Sequence, residues 1–577
     1  MMKKMTIMHL CFLVVYGCSC LTAYGQHDTH TLFPERLLPD TTMAVWVSPH
    51  FAPALQHAAE AVPVDYEASA VSELLASFDQ LFQRNFTLSL SDLASVCSKT
   101  VAVALLDLRP PDRPEQFWPI PEFVLLVDIQ GVSDTLTTIL ETHIIPSLQS
   151  QVPGIEVRRN VTHGITSYTF SHGKTQYTCL LTERLLALGG SPESVEQLIS
   201  RLPDAFAASS DQSEHLSLFH SETYRIPREK IFRHEHDSRL YVDVQSIWRT
   251  LRPFIRQRCF SSQHPENQFL FQLLELYELT TFSWQVSFTE TGGRERFFWT
   301  VASQEEPLEQ SFSLLSGFLG RGNGILTSDL IVPGKVLFYE ASRVDVLQIW
   351  RHLNLLINMF LSVQQQEQFQ RHITMIERYI GLDVEQELLS SFGQEMAIAC
   401  LESTLPGQRN TFLSTENFPC ALFLQVNDQD TVQQALQRLA TRVPQSPVIL
   451  DIGIPGSFEP LHLYAAFVRD FLVFSASRST LQHILRVAEQ GGSLASAPDY
   501  RTLSSSFSLK GYARGYINLP SLFQRLPDRS IFRANRPPEQ GMMWRTTSED
   551  GGFLTESFSP FGGVLVGAAA FWFGLME

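Results

Sequence analysis

Hydrophobic and polar positions follow one another in the same order twice along this chain. The stretch YVDVQSIWRTL at 241–251 returns as YINLPSLFQRL at 516–526, and each has the pattern of a strand that runs into a helix. Earlier, LSDLASVCSKTVAVALLDL at 90–108 matches VEQELLSSFGQEMAIACLES at 384–403. Both of these predict a helix, a turn and an apolar strand. The repeated patterns therefore predict repeated architecture.

The matched segments keep their order. The number of residues between the two copies of a segment becomes smaller toward the C-terminus. This combination is typical of a tandem duplication whose second copy has shorter loops. The sequence predicts an α+β fold of two modules, each a mostly antiparallel sheet with several packed helices. We place module 1 at 37–318, the inter-module joint at 319–330 and module 2 at 331–560. We expect Tyr241 to correspond to Tyr516, and Gly292 to Gly551.

Both predicted copies share a frame of four features. They have an opening proline and strand, a helix before an Ala-rich strand (TVAVALLDL or EMAIACLES), a strand that runs into a polar helix, and a hairpin that ends in serine before another helix. This frame resembles a family of exported bacterial proteins described only as a domain of unknown function. The resemblance covers nearly all of the mature chain. It implies an exported α+β protein and offers no catalytic residues.

The N-terminus has the three parts of an export signal: two lysines, an apolar run and small residues. Cleavage would remove 1–25 as a signal peptide and leave 26–36 as a flexible N-terminus. A lipidated Cys18 is an alternative, although Tyr16 fits a lipobox badly, and an uncleaved anchor is another. We therefore expect an exported protein of the periplasm or cell envelope.

Composition narrows the classes of function. Apolar residues make up 44% of the chain and charged residues 18%, which indicates a globular protein with large cores. The net charge of −17 makes it a poor nucleic-acid binder, because phosphate contacts need clustered Lys and Arg. Three of the eight cysteines lie in the predicted signal peptide, and the five that remain are too few for a disulfide framework in so long a chain. Cys400 and Cys420, in successive predicted strands, could pair if those strands are neighbours.

The densest cluster of candidate metal ligands contains His234 and His236. Two histidines at this spacing point to the same side of an extended chain and could share a metal ion with a carboxylate from elsewhere. No further ligand occurs at a recognisable spacing, and a solvated charged turn is the alternative. We assign no catalytic residue and no cofactor, because G-x-S-x-G and H-E-x-x-H motifs are absent. Asp243, which corresponds to Asn518, fits a structural hydrogen-bonding role.

Three hypotheses of function remain open. The first is a non-catalytic envelope scaffold or binding protein whose partner is an unknown envelope protein or an apolar ligand. The second is an exported hydrolase whose site is assembled only in the fold. The third is a carrier of a hydrophobic ligand, since some of the 41 phenylalanines could line a cavity. The sequence does not give the activity, the partner or the oligomeric state.

The C-terminal apolar segment, 561–577, generates a first prediction. It carries no charge from Phe561 to Leu575, and it could be a buried segment, a short membrane anchor or a tail. If it is an anchor, deleting 561–577 moves the chain from the membrane to the soluble fraction and leaves the melting temperature unchanged. If it is core, the truncated chain stays in its fraction and melts earlier. Cell fractionation combined with a melting curve separates these outcomes.

Overall fold

The computed structural model describes most of both predicted modules. Its described residues are 32–49, 83, 99–109, 119–162, 165–173, 175–191, 195, 197–198, 201, 217–232, 238–259, 279–289, 292–301, 323–402, 419–439, 449–454, 461–508, 510–525 and 540–560. The predicted signal peptide, the pair His234 and His236, and the C-terminal segment 561–577 lie outside the described residues.

The described strands, in chain order, are β1 (Ala44–Ser48), β2 (Val101–Arg109), β3 (Ile120–Asp128), β4 (Glu156–Thr162), β5 (Ile165–His172), β6 (Thr175–Leu181), β7 (Leu185–Gly189), β8 (Ser238–Asp243), β9 (Leu279–Thr289), β10 (Gly292–Val301), β11 (Gly324–Ile325), β12 (Val336–Arg343), β13 (Phe392–Leu401), β14 (Cys420–Val426), β15 (Leu450–Ile454), β16 (Leu461–Val468), β17 (Phe471–Ser475), β18 (Lys510–Gly511), β19 (Ala513–Ile517), β20 (Met542–Glu549) and β21 (Gly552–Ser559).

The described α-helices are α1 (Pro34–Leu37), α2 (Ser133–Ile139), α3 (Ile145–Gln151), α4 (Glu222–Lys230), α5 (Val244–Cys259), α6 (Val346–Phe360), α7 (Val363–Ile380), α8 (Gln429–Leu439), α9 (Arg478–Gln490), α10 (Pro498–Ser504) and α11 (Leu519–Arg525). Short 3₁₀ and π turns occupy Leu218–His220, Ser328–Leu330, Leu389–Ser391, Leu494–Ser496, Leu140–Ile144 and Val384–Leu388. The α+β class expected from the sequence is confirmed.

Nineteen of these strands form one antiparallel sheet. Their order across the sheet is β4, β5, β6, β7, β3, β2, β1, β8, β9, β10, β21, β20, β19, β12, β13, β14, β17, β16 and β15. We call β1–β10 the first half-sheet, and β12–β17 with β19–β21 the second half-sheet. Apart from β4, the strands follow one another in the same order from the outside to the centre of each half. The two halves meet where β10 pairs with β21.

Two of the correspondences expected from the sequence can be followed along these ladders. Tyr241 lies between β1 and β9, and Tyr516 lies between β12 and β20, so both occupy the same place in their half-sheets. Gly292 and Gly552 each begin the second strand of a hairpin. The ladders therefore relate Gly292 to Gly552, one residue after the expected Gly551. Gly551 lies in the turn itself, where its φ of 84° favours glycine.

Each half-sheet is covered on both faces. On one face, clusters of buried residues join the sheet to α1 and α4 in the first half, and to α9, α10 and the residues flanking the 3₁₀ turn at Ser328–Leu330 in the second half. On the opposite face, α2 packs on the first half-sheet and α8 on the second. The Ala-rich strands β2 and β13 contribute small, fully buried side chains to the first of these faces. Small residues at these positions leave room for the tyrosines that pack over them.

The cysteine pair considered in the sequence is joined in the structure. Cys400 in β13 lies directly opposite Cys420 in β14, and the two form a disulfide. The expectation that they could pair if their strands were neighbours is confirmed. Cys179 lies buried in β6.

The disulfide generates a prediction of stability. The Cys400→Ser/Cys420→Ser variant should lose about 3 kcal/mol of unfolding free energy, because the cross-link limits the freedom of the unfolded chain. Urea unfolding with and without reductant measures this. The double variant is its own control, since reductant should not change its unfolding midpoint. An unchanged midpoint of the reduced wild-type chain would contradict the prediction.

Candidate functional site

The first polar cluster in the described core is built around Glu35. The carboxylate Oε1 of Glu35 accepts hydrogen bonds from Nε of Arg239 at 2.6 Å and from the hydroxyl of Tyr224 at 2.9 Å. Helix α1, strand β8 and helix α4 supply the three side chains, and all three are buried. The cluster therefore links α1 and α4 to strand β8 of the sheet.

A second cluster in the other half-sheet has the same chemistry. Oδ2 of Asp329 accepts hydrogen bonds from Nη1 of Arg514 at 3.2 Å and from the hydroxyl of Tyr500 at 3.1 Å. These residues are buried too, and they come from the turn at Ser328–Leu330, from β19 and from α10. We call the two clusters the Glu35 triad and the Asp329 triad. In each, the triad tyrosine makes an edge contact with a strand tyrosine, Tyr241 or Tyr516.

The pKa values of the two triad carboxylates are shifted in opposite directions. Burial alone would raise the pKa of Glu35, but the attraction of Arg239 and the hydrogen bonds it accepts outweigh burial and lower its pKa. Burial also raises the pKa of Asp329, and the more distant Arg514 only partly offsets it, so the pKa of Asp329 is raised. Burial likewise raises the pKa of Tyr224 and Tyr500.

The triads are suited to structure rather than to chemistry on a substrate. A catalytic group has to reach a reacting atom within hydrogen-bond distance. Each triad carboxylate faces an arginine and a tyrosine of its own chain, and each is almost completely buried. Removing one partner of such a pair would leave a buried charge uncompensated.

The residues singled out by the sequence fall into two groups. The metal-site prediction at His234 and His236 lies outside the described residues and stays a prediction. Within the described ranges, no group of three or more His, Cys, Asp or Glu side chains is placed to hold a metal ion.

The structural interpretation of Asp243 is confirmed: its carboxylate accepts a hydrogen bond from the backbone N–H of Ser246 at 2.8 Å, at the start of α5. Asn518 does the same for Ser521 at the start of α11.

An exposed apolar surface lies on the antiparallel helix pair α6 and α7. Thirteen large hydrophobic residues are exposed among the described residues, and seven of them belong to this helix pair and its turn. We call these seven the hairpin surface: Leu353, Leu355, Leu361, Val363, Met375, Ile376 and Tyr379. Large exposed apolar patches mark interaction sites in soluble proteins.

Capping residues define the ends of both helices of the hairpin. Asp345 caps α6 by accepting a hydrogen bond from the N–H of Gln348 at 2.9 Å. Ser362 caps α7 in a reciprocal arrangement with Gln365, and Gly381 ends α7 with a φ of 65°. The rings of Trp350 and Phe369 hold the helices together at 5.9 Å between centroids. The apolar surface therefore belongs to two complete helices, not to fraying ends.

The sequence pattern of α6 is typical of a helix but does not reveal its exposed surface. Apolar residues recur at the helical spacing i, i+3, i+4 and i+7 in Val346, Ile349, Trp350 and Leu353. Such a stripe normally packs on a core. Leu353, within this stripe, is exposed, and the pattern alone contains no signal that the stripe remains uncovered.

Residues 350–559 match a family model described as "Protein of unknown function (DUF3352)". The match begins within α6 and extends to the last residue of β21, so it includes the hairpin surface and most of the second half-sheet. It confirms the resemblance to a family described only as a domain of unknown function. No curated protein matches the chain.

Solved structures of TP0453 show a weak likeness. Crystal form III is 11% identical, with 52% of this chain and 90% of that chain covered and a TM-score of 0.24. Crystal form IV is 10% identical, with 52% and 89% covered and the same TM-score. TM-scores this low carry no argument about fold or function. Among the described residues, no helix has the length and apolar character needed to cross a membrane.

The opposite pKa directions of the triads generate a prediction. Ionised Glu35 stabilises the fold above its ordinary pKa of 4.5, and this contribution is lost as the pH falls through its lowered pKa. Glu35→Gln should therefore cost about 3 to 5 kcal/mol at neutral pH, because Arg239 stays buried without its counter-ion, and less in acid. For Asp329, whose pKa is raised above 3.8, the stabilising form is the protonated one. The cost of Asp329→Asn should therefore fall as the pH rises.

Urea unfolding of both variants from acidic to neutral pH measures these slopes. Glu156→Gln is a matched control, because the Glu156 side chain is 68% exposed on β4 and its surface ion pair with Arg158 contributes little to stability. Slopes of the same sign for the two triad variants would contradict the assignment.

Proposed function

We propose that the protein is a non-catalytic envelope protein that acts as a scaffold and binds its partner through the hairpin surface. The observation that carries the proposal is the concentration of seven exposed large hydrophobic residues on one capped helix pair. An uncovered apolar surface of this kind costs solvation free energy, which binding to an apolar partner recovers.

A non-catalytic role is favoured by the placement of the polar side chains. A hydrolase needs convergent polar groups around an accessible site. In the described part of the chain, the two triads are buried clusters of ionisable groups, and both lie between the sheet and the segments that cover it. Their chemistry supports a rigid scaffold. The rival hypotheses of a hydrolase and of a hydrophobic carrier have no comparable observation in their favour.

We also propose that module 1 (37–318) and module 2 (331–560) arose by tandem duplication. The strand order of the half-sheets, which is the same apart from β4, supports it. So does the packing of one carboxylate, arginine and tyrosine triad on each half-sheet, with Glu35 and Asp329 each lying just before its module. Two isolated bridges add to this support, Pro39 with Ser217 and Pro333 with Ser493, since each ties the opening proline of a module to the turn before its triad tyrosine. The duplicated platform would hold the hairpin in a fixed orientation.

The proposed place of action is the periplasm or cell envelope, which follows from the export signal expected in the sequence. The partner is an apolar component of the envelope. Nucleic acid is an unsuitable partner for a chain with a net charge of −17.

The double variant Val363→Glu/Met375→Glu tests the proposal. Both side chains are exposed, at 71% and 61%, so the melting temperature should change by no more than about 2 °C. The chain without its signal peptide should sediment with isolated cell envelopes, and the variant should stay largely in solution, because buried carboxylates oppose apolar binding. Gln364→Glu/Thr374→Glu is the matched control, since it adds the same charge at exposed neighbouring positions. Equal sedimentation of the two variants would overturn the proposal.

A further inference from the structure

We propose that Glu340 and Trp544 form a binding site for an organic ammonium ion, either free or carried by a phospholipid headgroup. The site lies on β12, β19 and β20 of the second half-sheet, on the face that α8 covers farther along the sheet. It shares no residue with the hairpin surface. The inference therefore goes beyond the proposed function and does not depend on it.

The two half-sheets differ in chemistry at this place. In the first half-sheet, the row of side chains across β1, β8 and β9 is apolar: Trp46, Leu240 and Trp284. The equivalent row across β12, β19 and β20 of the second half-sheet is Glu340, Gly515 and Trp544. The fold thus accepts a fully apolar row here, so its architecture does not require a carboxylate. A polar residue that the fold does not need is a candidate for a functional role.

The carboxylate of Glu340 lacks a counter-ion of its own. It is half-buried, and no hydrogen bond or ion pair from the described residues reaches its oxygens. Burial raises the pKa of this carboxyl group, and no neighbouring positive charge offsets the effect. Partial burial of an uncompensated charge costs solvation free energy, which a bound cation would recover.

The indole of Trp544 provides an aromatic surface beside this carboxylate. A Cβ atom on Gly515 would lie 1.9 Å from Cζ2 of Trp544, so the ring lies over Gly515 on the neighbouring strand. Gly515 is directly opposite Glu340, and paired strands are about 4.8 Å apart. Phe338 extends the aromatic surface, since its ring centroid is 6.2 Å from that of Trp544.

An ammonium ion suits both groups at once. The carboxylate attracts its positive charge, and the face of an aromatic ring attracts cations too, most strongly when the ring is an indole. A hard metal ion prefers several oxygen ligands, whereas Gly515 and Ile398, the two neighbours of Glu340 across the ladders, offer no side-chain oxygen. Ile398 is 42% exposed, which leaves the site open to solvent and gives alkyl groups an apolar contact. The net charge of −17 attracts cations to the chain.

Saturation-transfer NMR with choline tests the inference on the chain without its predicted signal peptide. Transfer from the protein to the N-methyl protons, followed against choline concentration, gives the dissociation constant. Glu340→Gln should raise this constant about tenfold or more, because the ion pair is lost. Trp544→Phe should raise it about twofold to fivefold, because a phenyl ring attracts cations less than an indole does.

Glu489→Gln is the matched control. It removes the same charge at an exposed position of α9, which packs on the opposite face of the sheet. Its dissociation constant for choline should equal that of the wild type. If Glu340→Gln binds choline as tightly as this control does, the inference is wrong. Glu340→Gln should melt no earlier than the wild type, because the carboxylate has no partner to lose. Earlier melting would assign Glu340 a structural role and overturn the inference.

Two further ligands define what the site recognises. The neutral isostere of choline, in which a tert-butyl group replaces the trimethylammonium group, should bind about tenfold or more weakly than choline. Equal binding of the isostere would contradict the inference, because the site would then be merely apolar. Glycerophosphocholine separates the two sources of the ammonium group. Weaker binding than choline supports a free ion, since Glu340 repels the phosphate, and equal or tighter binding supports a phospholipid headgroup.

Discussion

The pairing of β10 with β21 is the interaction on which the rest of the structure depends. Without it, each half-sheet would end in an exposed edge of unpaired backbone groups, which invites aggregation. Arg296 and Glu556 face each other in the middle of this ladder and form an ion pair at 3.3 Å. They occupy equivalent positions in their hairpins, opposite Gln285 and Arg545. Like charges at these positions would repel, so the opposite charges favour pairing between the two different halves.

The same kind of buried polar cluster links each half-sheet to the segments that cover it. The Glu35 and Asp329 triads sit between strand and helix, and a buried carboxylate shared by an arginine and a tyrosine has few alternative arrangements. The pKa of Glu35 is lowered because Arg239, at 2.6 Å, and the hydrogen bonds that the carboxylate accepts outweigh burial. The pKa of Asp329 is raised because burial and the nearby Glu395 outweigh Arg514 at 3.2 Å.

Much of the fold could be predicted from the sequence, because alternating and helical patterns are local. The stretches at 241–251 and 516–526 form β8 with α5 and β19 with α11, as their patterns predict. The β10 to β21 pairing could not be predicted, since an alternating pattern does not specify which strand lies beside it. Glu35 was missed because it lies in the segment predicted to be a flexible N-terminus. Its partner Arg239 is 204 residues away, a separation that only the tertiary fold closes.

The hairpin surface could not be predicted from the sequence, because a helical pattern does not reveal which face of the helix stays exposed. An apolar stripe on a helix indicates only that the helix needs a partner, and a core usually supplies it. Here α6 packs against β13 and α7 packs against α8, yet Leu361 and Val363, in and beside the turn between the two helices, remain exposed. The cap at Ser362 orders the start of α7 before any partner arrives, so binding orders little further chain. The proposed binding would therefore cost little conformational entropy.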